Sequence, residues 1–303
     1  MRTTLKVTAI AAAAAFAINS PAMAEVKVYG KAHLSIDSIS GVAAPADGLH
    51  VSSHASRVGF KADNDFGNGM TGFVTMEYEI DMATTVSAND GIIKNRTNIA
   101  GVKGGFGKAY VGTADMPHKK VISKADQFAD TYGDFNAIVG PDTRQSDVVY
   151  YENKFGDVGV KLAYAPQYDG TANNNLGASV DFKAGPVVIA VAYEKDDSWT
   201  DATTGARVTW KAGFGDLHLV YNKDGEAGGN TQYFASGKFK MGNDLALKAQ
   251  YGKDDDAGTD LMAAGVEKKF AKKSSAYLLY ATGDLKGLGT DTSAISLGYI
   301  QKF

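Results

Sequence analysis

From Glu25 to Ile39 the chain alternates, with Val26, Val28, Gly30, Ala32, Leu34 and Ile36 in one phase and Lys27, Tyr29, Lys31, His33, Ser35 and Asp37 in the other. A two-residue period with one wholly uncharged side is that of an amphipathic β-strand. The alternation returns at Val58, Phe60 and Ala62 against Arg57 and Lys61, and at Val158, Val160, Leu162 and Tyr164 against Lys161. It recurs at Val208, Trp210, Ala212 and Phe214 against Arg207 and Lys211, at Leu217, Leu219 and Tyr221 against His218, and at Leu245, Leu247, Ala249 and Tyr251 against Lys248. A soluble sandwich alternates too, so the connections have to discriminate. They fall into two classes. Short turns are predicted at 64–69, 104–107, 155–157, 184–186, 213–216, 241–244 and 271–273, and longer polar loops at 38–52, 82–92, 114–143, 166–175, 195–205, 223–230, 253–260 and 283–291. Eight loops and seven turns imply about sixteen strands, with short turns at one rim and long loops at the other. That is the organisation of an all-β transmembrane antiparallel β-barrel. Phe66, Phe155, Phe214 and Phe270, beside the turns, are expected in an aromatic girdle at the membrane interface.

The two ends of the chain agree with this. Arg2 and Lys6 precede an apolar run from Val7 to Ile18 that closes on Ala22-Met23-Ala24, the pattern of a secretory signal with its cleavage site. Residues 1–24 are therefore read as a signal peptide and 25–303 as one barrel domain. No later stretch offers the roughly 18 apolar residues of a membrane-spanning helix. Loss of Arg2 and Lys6 takes the formal charge from −3 to −5, which disfavours nucleic acid as a partner. An exported chain without cysteine has no disulfide to hold it, so its stability must come from the fold. The 35 Gly, 15 Tyr and 14 Phe beside only 6 Pro suit many strands joined by tight turns. At the C-terminus, Ile295, Leu297, Tyr299 and Phe303 share one phase, so a terminal aromatic closes an amphipathic strand.

Several motifs resemble those of the trimeric general diffusion porins of Gram-negative outer membranes. Val28-Tyr29-Gly30-Lys31 opens the first strand, and Ser56-Arg57-Val58-Gly59-Phe60-Lys61 followed by Phe66-Gly67-Asn68-Gly69 makes the second strand and its turn. Lys94-Asn95-Arg96, Ala100-Gly101-Val102-Lys103 and Phe106-Gly107-Lys108 precede the third loop, and Arg144-Gln145-Ser146 follows it. The resemblance implies a homotrimeric porin, a water-filled channel for passive diffusion of ions and small hydrophilic solutes, with no cofactor. It further implies a third loop, about 114–143, folded inward to constrict the pore, and a facing basic ladder of Lys31, Arg57, Lys94, Arg96 and Arg144. Strand phase supports the ladder independently, because an Arg facing lipid at mid-depth costs roughly 2–4 kcal/mol. The loop carries Asp126, Asp130 and Asp134 as candidate acids, with Phe128, Tyr132 and Phe135 to pack it against the wall. The family's loop motif is not reproduced residue for residue, and Thr113 stands where an Arg usually closes the preceding strand. Phe303 matches the family's assembly signal, read by the barrel-insertion machinery. Outer-membrane lipid and lipopolysaccharide are the further implied partners.

Two rivals differ in what they require. A substrate-selective porin needs a line of lumen aromatics for sugars or a denser basic track for anions. A barrel enzyme needs a nucleophile and a base, yet the five histidines His33, His50, His54, His118 and His218 have no metal-ligand spacing and no G-x-S-x-G around them. The acidic run Lys253 to Asp260 lacks the alternating ligands of a calcium loop. Intact-mass measurement of protein extracted from outer membranes should give a chain beginning at Glu25. A mass that retains residues 1–24 would refute the export signal.

Overall fold

In the computed structural model, residues 25–43, 46–83, 93–166, 174–285 and 288–303 are described. The signal segment 1–24 and most of the loops at 82–92 and 166–175 lie outside them. The strands are β1 (Val26–Ser40), β2 (Gly48–Ser53), β3 (Arg57–Gly67), β4 (Met70–Ile80), β5 (Ile93–Gly104), β6 (Gly107–Asp115), β7 (Arg144–Phe155), β8 (Val158–Ala165) and β9 (Asn175–Ala184). They continue as β10 (Val187–Asp196), β11 (Thr203–Ala212), β12 (Gly215–Asp224), β13 (Asn230–Gly242), β14 (Leu245–Asp254), β15 (Thr259–Ala271), β16 (Ser274–Leu285) and β17 (Gly289–Lys302). From β3 onward each strand pairs antiparallel with the next, and β17 returns to β1 from Lys31↔Lys302 to Ser40↔Ser293. The sheet is a closed barrel. Because β2 pairs with one half of β1 (Leu34↔Ser53 to Ile39↔Gly48) and β3 with the other (Val26↔Ala62 to Lys31↔Arg57), the two segments occupy one place in the wall. Seventeen segments thus make the sixteen strands expected.

The break between β2 and β3 is a built feature. Ala55 takes a left-handed φ of 47°, and the Ser56 hydroxyl accepts from the His33 N–H at 2.9 Å in place of a ladder partner. The stretch 38–52, expected as a loop, is largely strand: Ser38–Ser40 belong to β1 and Gly48–Ser52 to β2. Leu49 and Val51 already alternate with His50 and Ser52 there, a signal masked by the polar residues around them. All seven short turns fall where expected, each leaving two residues between strands. Asn68-Gly69 and Asn243-Asp244 hold positive φ at both central positions, 53° and 72°, then 50° and 60°. That backbone matches strand twist in a tight hairpin, which favours Asn, Asp and Gly. The opposite rim carries shorter connections than the polar stretches suggested. The acidic one, for example, spans only 255–258.

Outward positions such as Val28, Leu162, Tyr164, Leu219, Tyr221, Leu297 and Tyr299 are exposed, while their neighbours in the other phase are buried or face the interior. The inner face is not uniformly polar. Residues 116–143 lie inside the barrel, and Val121, Ile122, Phe128, Phe135 and Ile138 pack on inward-facing Ile39, Val220, Phe234, Leu261 and Leu279. Burying an apolar side chain of this size stabilises by roughly 1.5–3 kcal/mol. The segment opens with the helix α1 (Pro117–Ile122), whose Pro at the first position presets the helical φ.

The last residue extends the β17–β1 seam by one further pair. The Phe303 N–H donates to the Gly30 carbonyl at 3.1 Å, the Gly30 N–H donates to the Phe303 carbonyl at 3.3 Å, and the Phe303 ring fills the space a side chain at Gly30 would need. Deleting Phe303 should therefore lower the folded fraction in outer membranes severalfold without affecting export, read as heat-modifiable migration on a gel. Undiminished folded protein at native expression would contradict this.

Candidate functional site inside the barrel

The inward segment is tied to the wall by one carboxylate. Asp130 Oδ2 lies 2.7 Å from Lys31 Nζ and 2.6 Å from Arg57 Nη2. Burial alone would raise the Asp130 carboxyl, but Lys31 and Arg57 outweigh it and hold it at about 2. A depressed carboxylate stabilises the fold above its ordinary value of 3.8, and the contribution is lost as pH falls from there towards about 2. Asp130 itself has a left-handed φ of 67°, and its N–H donates to Asp134 Oδ2 at 2.8 Å.

From Arg57 the charges continue as a chain around the wall. Arg57 lies 3.7 Å from Glu77; Arg96 contacts Glu77 Oε1 at 2.9 Å through Nε and Glu79 Oε2 at 2.8 Å through Nη1. Beyond them Arg144 Nε lies 2.8 Å from Asp115 Oδ1, and Lys119 bridges Asp115 at 3.3 Å and Asp142 at 2.6 Å. Arg57, Arg96, Arg144, Glu79, Lys119 and Asp130 line one cavity of about 610 Å³. The cations Lys31, Arg57, Arg96, Lys119 and Arg144 are thus matched by Glu77, Glu79, Asp115, Asp130 and Asp142.

Four of the five expected ladder residues meet in this band. Lys94 does not: it shares the phase of Arg96 but is the second residue of β5, at the long-loop rim, where it is exposed and stands apart from the cavity. A bulge opposite Met76–Tyr78, at Asn95–Asn98, shifts the phase of β5, so that Ile99, Gly101 and Lys103 face inward on one side of it and Arg96 on the other. Counting residues by twos does not register this. Among the loop acids, Asp130 faces the ladder, whereas Asp126 and Asp134 brace the segment. Asp126 accepts from the N–H groups of Phe128 at 2.9 Å and Phe135 at 3.4 Å, and burial together with the Asp134 charge pushes its carboxyl up. Asp134 accepts from the Asn136 N–H at 2.9 Å and reaches the cavity. The expected aromatic packing is present, with Phe135 edge-on to Phe234 at 5.5 Å and the Tyr132 hydroxyl 3.0 Å from Ser52 Oγ.

Sequence reasoning missed Glu77 and Glu79, whose only signal was their strand phase beside the arginines, and Asp115, Lys119 and Asp142, which the path of the inward segment brings to Arg144 and to one another. It also missed a second basic region towards the short-turn rim. There Lys120 donates to the Tyr110 hydroxyl at 2.6 Å and lies 4.0 Å over the Tyr150 ring, and burial pushes its ammonium down to about 8. Lys161 pairs with Asp181 at 3.0 Å, Lys238 and Lys248 share Glu267 at 3.0 and 2.5 Å, and Arg207 donates to the Val121 carbonyl at 2.8 Å. The histidines are absorbed into packing: His33 Nε2 lies 2.9 Å from the Tyr277 hydroxyl, and His118 Nε2 lies 2.8 Å from Asn222 Oδ1.

A family model for Gram-negative porins matches residues 9–299. The chain belongs to that family. It is an outer-membrane barrel, as the exposed apolar phase of its strands requires. The major outer membrane protein P.IB of Neisseria meningitidis serogroup B is 28% identical over 165 residues, covering 52% of this chain and 46% of that protein. Its counterpart in Neisseria lactamica is 24% identical over 202 residues, covering 62% and 59%. The chain spans about half the length of the curated relatives it matches. Among solved structures, an anion-selective porin from Comamonas acidovorans aligns with a TM-score of 0.71 at 19% identity, over 92% of this chain and 100% of that one. A triple mutant of the Rhodopseudomonas blastica porin aligns with a TM-score of 0.76 at 14% identity, again over 92% and 100%. These likenesses carry the fold.

Replacing Asp130 with Asn removes the carboxylate between Lys31 and Arg57 and leaves one uncompensated positive charge in the cavity. In planar bilayers the zero-current potential across a salt gradient should shift towards anion preference by up to about fivefold in permeability ratio, the effect of ~1 kcal/mol. Heat-modifiable migration checks that the barrel still folds. Unchanged selectivity in folded protein would place Asp130 outside the ion path.

Proposed function

We propose that the protein forms a water-filled channel through the outer membrane, as a homotrimer, for passive diffusion of ions and small hydrophilic solutes. The observation that carries this reading is the charge-lined cavity beside the inward segment, lined by Arg57, Arg96, Arg144 and Glu79 of the wall and by Asp130 and Lys119 of the segment. The segment narrows the lumen, and the facing charges set a transverse field across the opening. Passage is limited by pore size and biased by fixed charges that replace part of an ion's hydration. Each ladder cation in the band has a carboxylate beside it.

A bias towards anions is favoured by a different part of the lumen. In the short-turn half, inward-facing Lys61, Lys108, Lys161, Arg207, Lys211, Lys238 and Lys248 outnumber Asp63, Glu152, Asp181, Asp216 and Glu267. The Comamonas porin that shares the fold is described as anion-selective. Catalysis receives no support from Ser35, His54 and Asp37: Ser35 Oγ is 2.6 Å from His54 Nε2, but it also donates to Asp37 at 2.8 Å, so the acid does not orient the imidazole.

Replacing Arg57, Arg96 and Arg144 together with Gln leaves their carboxylates uncompensated. The zero-current potential should then move towards cation preference. The shift should shrink between 0.1 M and 1 M salt, as the Debye length falls from about 10 Å to about 3 Å. Folded variant that keeps wild-type selectivity at 0.1 M salt would show that these arginines do not line the ion path.

A further inference from the structure

Several lysines in the barrel interior have a carboxylate of their own: Lys108 pairs with Glu152 at 3.2 Å, Lys119 with Asp115 and Asp142, and Lys161 with Asp181. Lys120 is different. Among the described residues its ammonium has one polar partner, the Tyr110 hydroxyl at 2.6 Å. Otherwise it meets rings, lying 4.0 Å from the centre of Tyr150 and 5.3 Å from that of Tyr110. The two rings are buried and stacked at 4.7 Å, so this side of the amine faces a closed aromatic wall. Lys124, one turn further on, is also outside ion-pair distance of any carboxylate among the described residues, but it is exposed and keeps its water.

An ammonium that loses water without gaining a carboxylate is a destabilised charge, and the neutral amine is favoured in its place. Burial is the largest effect on Lys120; Lys108 and Lys161 add to it, Glu152 and Asp115 oppose it, and the outcome is an amine brought down to about 8. At pH 8 about half of it then carries a free lone pair, against roughly one in three hundred for an ordinary lysine. A desolvated amine beside other cations is the setting in which lysine acts as a nucleophile. The surroundings also favour an anionic product. Asp115 is held by Arg144 and Lys119, and Glu152 by Lys108, while Lys108 and Lys161 each have donors beyond the one spent on a carboxylate.

We propose that Lys120 is a modification site at which carbon dioxide is held as a reversible carbamate. The Nζ lone pair attacks the carbon of CO2, an N–C bond forms as one C–O π bond opens to an oxyanion, and the nitrogen passes a proton to water or bicarbonate. The product is an N-carboxylate. CO2 fits the site better than an aldehyde does, because a lysine imine is neutral or cationic and gains nothing from Lys108 and Lys161. The exchange replaces a positive charge by a negative one on the segment that divides the lumen, so dissolved CO2 moves the ion preference towards cations. The modification stands on the site alone, and its effect on ion preference rests on the channel reading above.

Trapping tests the modification directly. The folded mature protein in detergent is equilibrated at pH 8 with isotopically labelled bicarbonate, treated with triethyloxonium ion, digested and analysed by mass spectrometry. A labelled ethyl carbamate should appear on Lys120, be absent in Lys120→Arg, and rise severalfold in Glu152→Gln, which removes a carboxylate that favours the ammonium and opposes the carbamate. Heat-modifiable migration confirms that each variant is folded. No label on Lys120, or equal label on Lys119 and Lys124, would overturn the site. In planar bilayers at constant pH and ionic strength, added CO2 should move the zero-current potential towards cation preference in the wild type and leave Lys120→Arg unmoved. Labelled protein whose potential does not move would overturn the effect on the channel while leaving the carbamate in place.

Discussion

A backbone inside lipid has no water to satisfy its N–H and C=O groups, so a sheet that crosses a membrane must close on itself. The organisation of this protein follows from that constraint. Closure joins β17 to β1 and makes the final residue, Phe303, a structural partner of Gly30. It also assigns every strand residue to lipid or lumen by parity alone. The positions that lipid excludes are where charge can collect, and they surround a water-accessible interior. The chemistry of the lumen is a consequence of the sorting that lets the wall exist.

The interior then needs something to occupy it. A barrel of sixteen strands is wide, and residues 116–143 divide its lumen. They are held by two kinds of contact that differ in reach. Apolar packing of Phe128, Phe135 and Ile138 on Phe234, Leu261 and Leu279 holds the segment to one side of the wall, largely independent of pH. The Asp130 contacts with Lys31 and Arg57 hold it to the other, and they depend on a charge that survives to about pH 2. The opening is bounded by the second set of contacts. The side of the segment that faces the cavity is therefore the side held by charge, so its position and its electrostatics are set by the same residues.

The fold was legible because its signals are local. A two-residue period, Asn-Gly-type turns and a terminal aromatic need no knowledge of what lies across the barrel. The exceptions are places where local order is broken: the polar stretch containing β2, where only Leu49 and Val51 betray a strand, and the bulge in β5. The site was half legible. Arg57, Arg96 and Arg144 were found through motif and phase. Their carboxylates were not, because Glu77 and Glu79 become partners only through the register of β3, β4 and β5. Asp115 and Asp142 become partners of Arg144 and Lys119 only through the path of the inward segment. Inward-facing Val220, Leu261 and Leu279 were unexpected for the same reason, since parity predicts the side a residue faces and not what meets it there.

Pairing changes how such a band can act on ions. Five cations in contact with five carboxylates carry little net charge and so set little net potential along the axis. A transverse field orients dipolar solutes and separates the paths of opposite ions, but it does not by itself favour one sign of charge. Net preference has to come from lumen regions where charges are unmatched. Along the strands those regions differ by rim: inward Asp196, Asp224 and Asp254 gather towards the long loops, and towards the short turns lie inward Lys211 and the two lysines, Lys238 and Lys248, that share the single carboxylate of Glu267. The same alternation that puts these aspartates inside puts Lys195, Lys223 and Lys253 outside. A four-residue pattern at a strand end therefore sets both the sign of one lumen mouth and the charge of the adjoining outer wall. Neither can be inverted by a one-residue slip without exposing apolar positions to the lumen and charged ones to lipid.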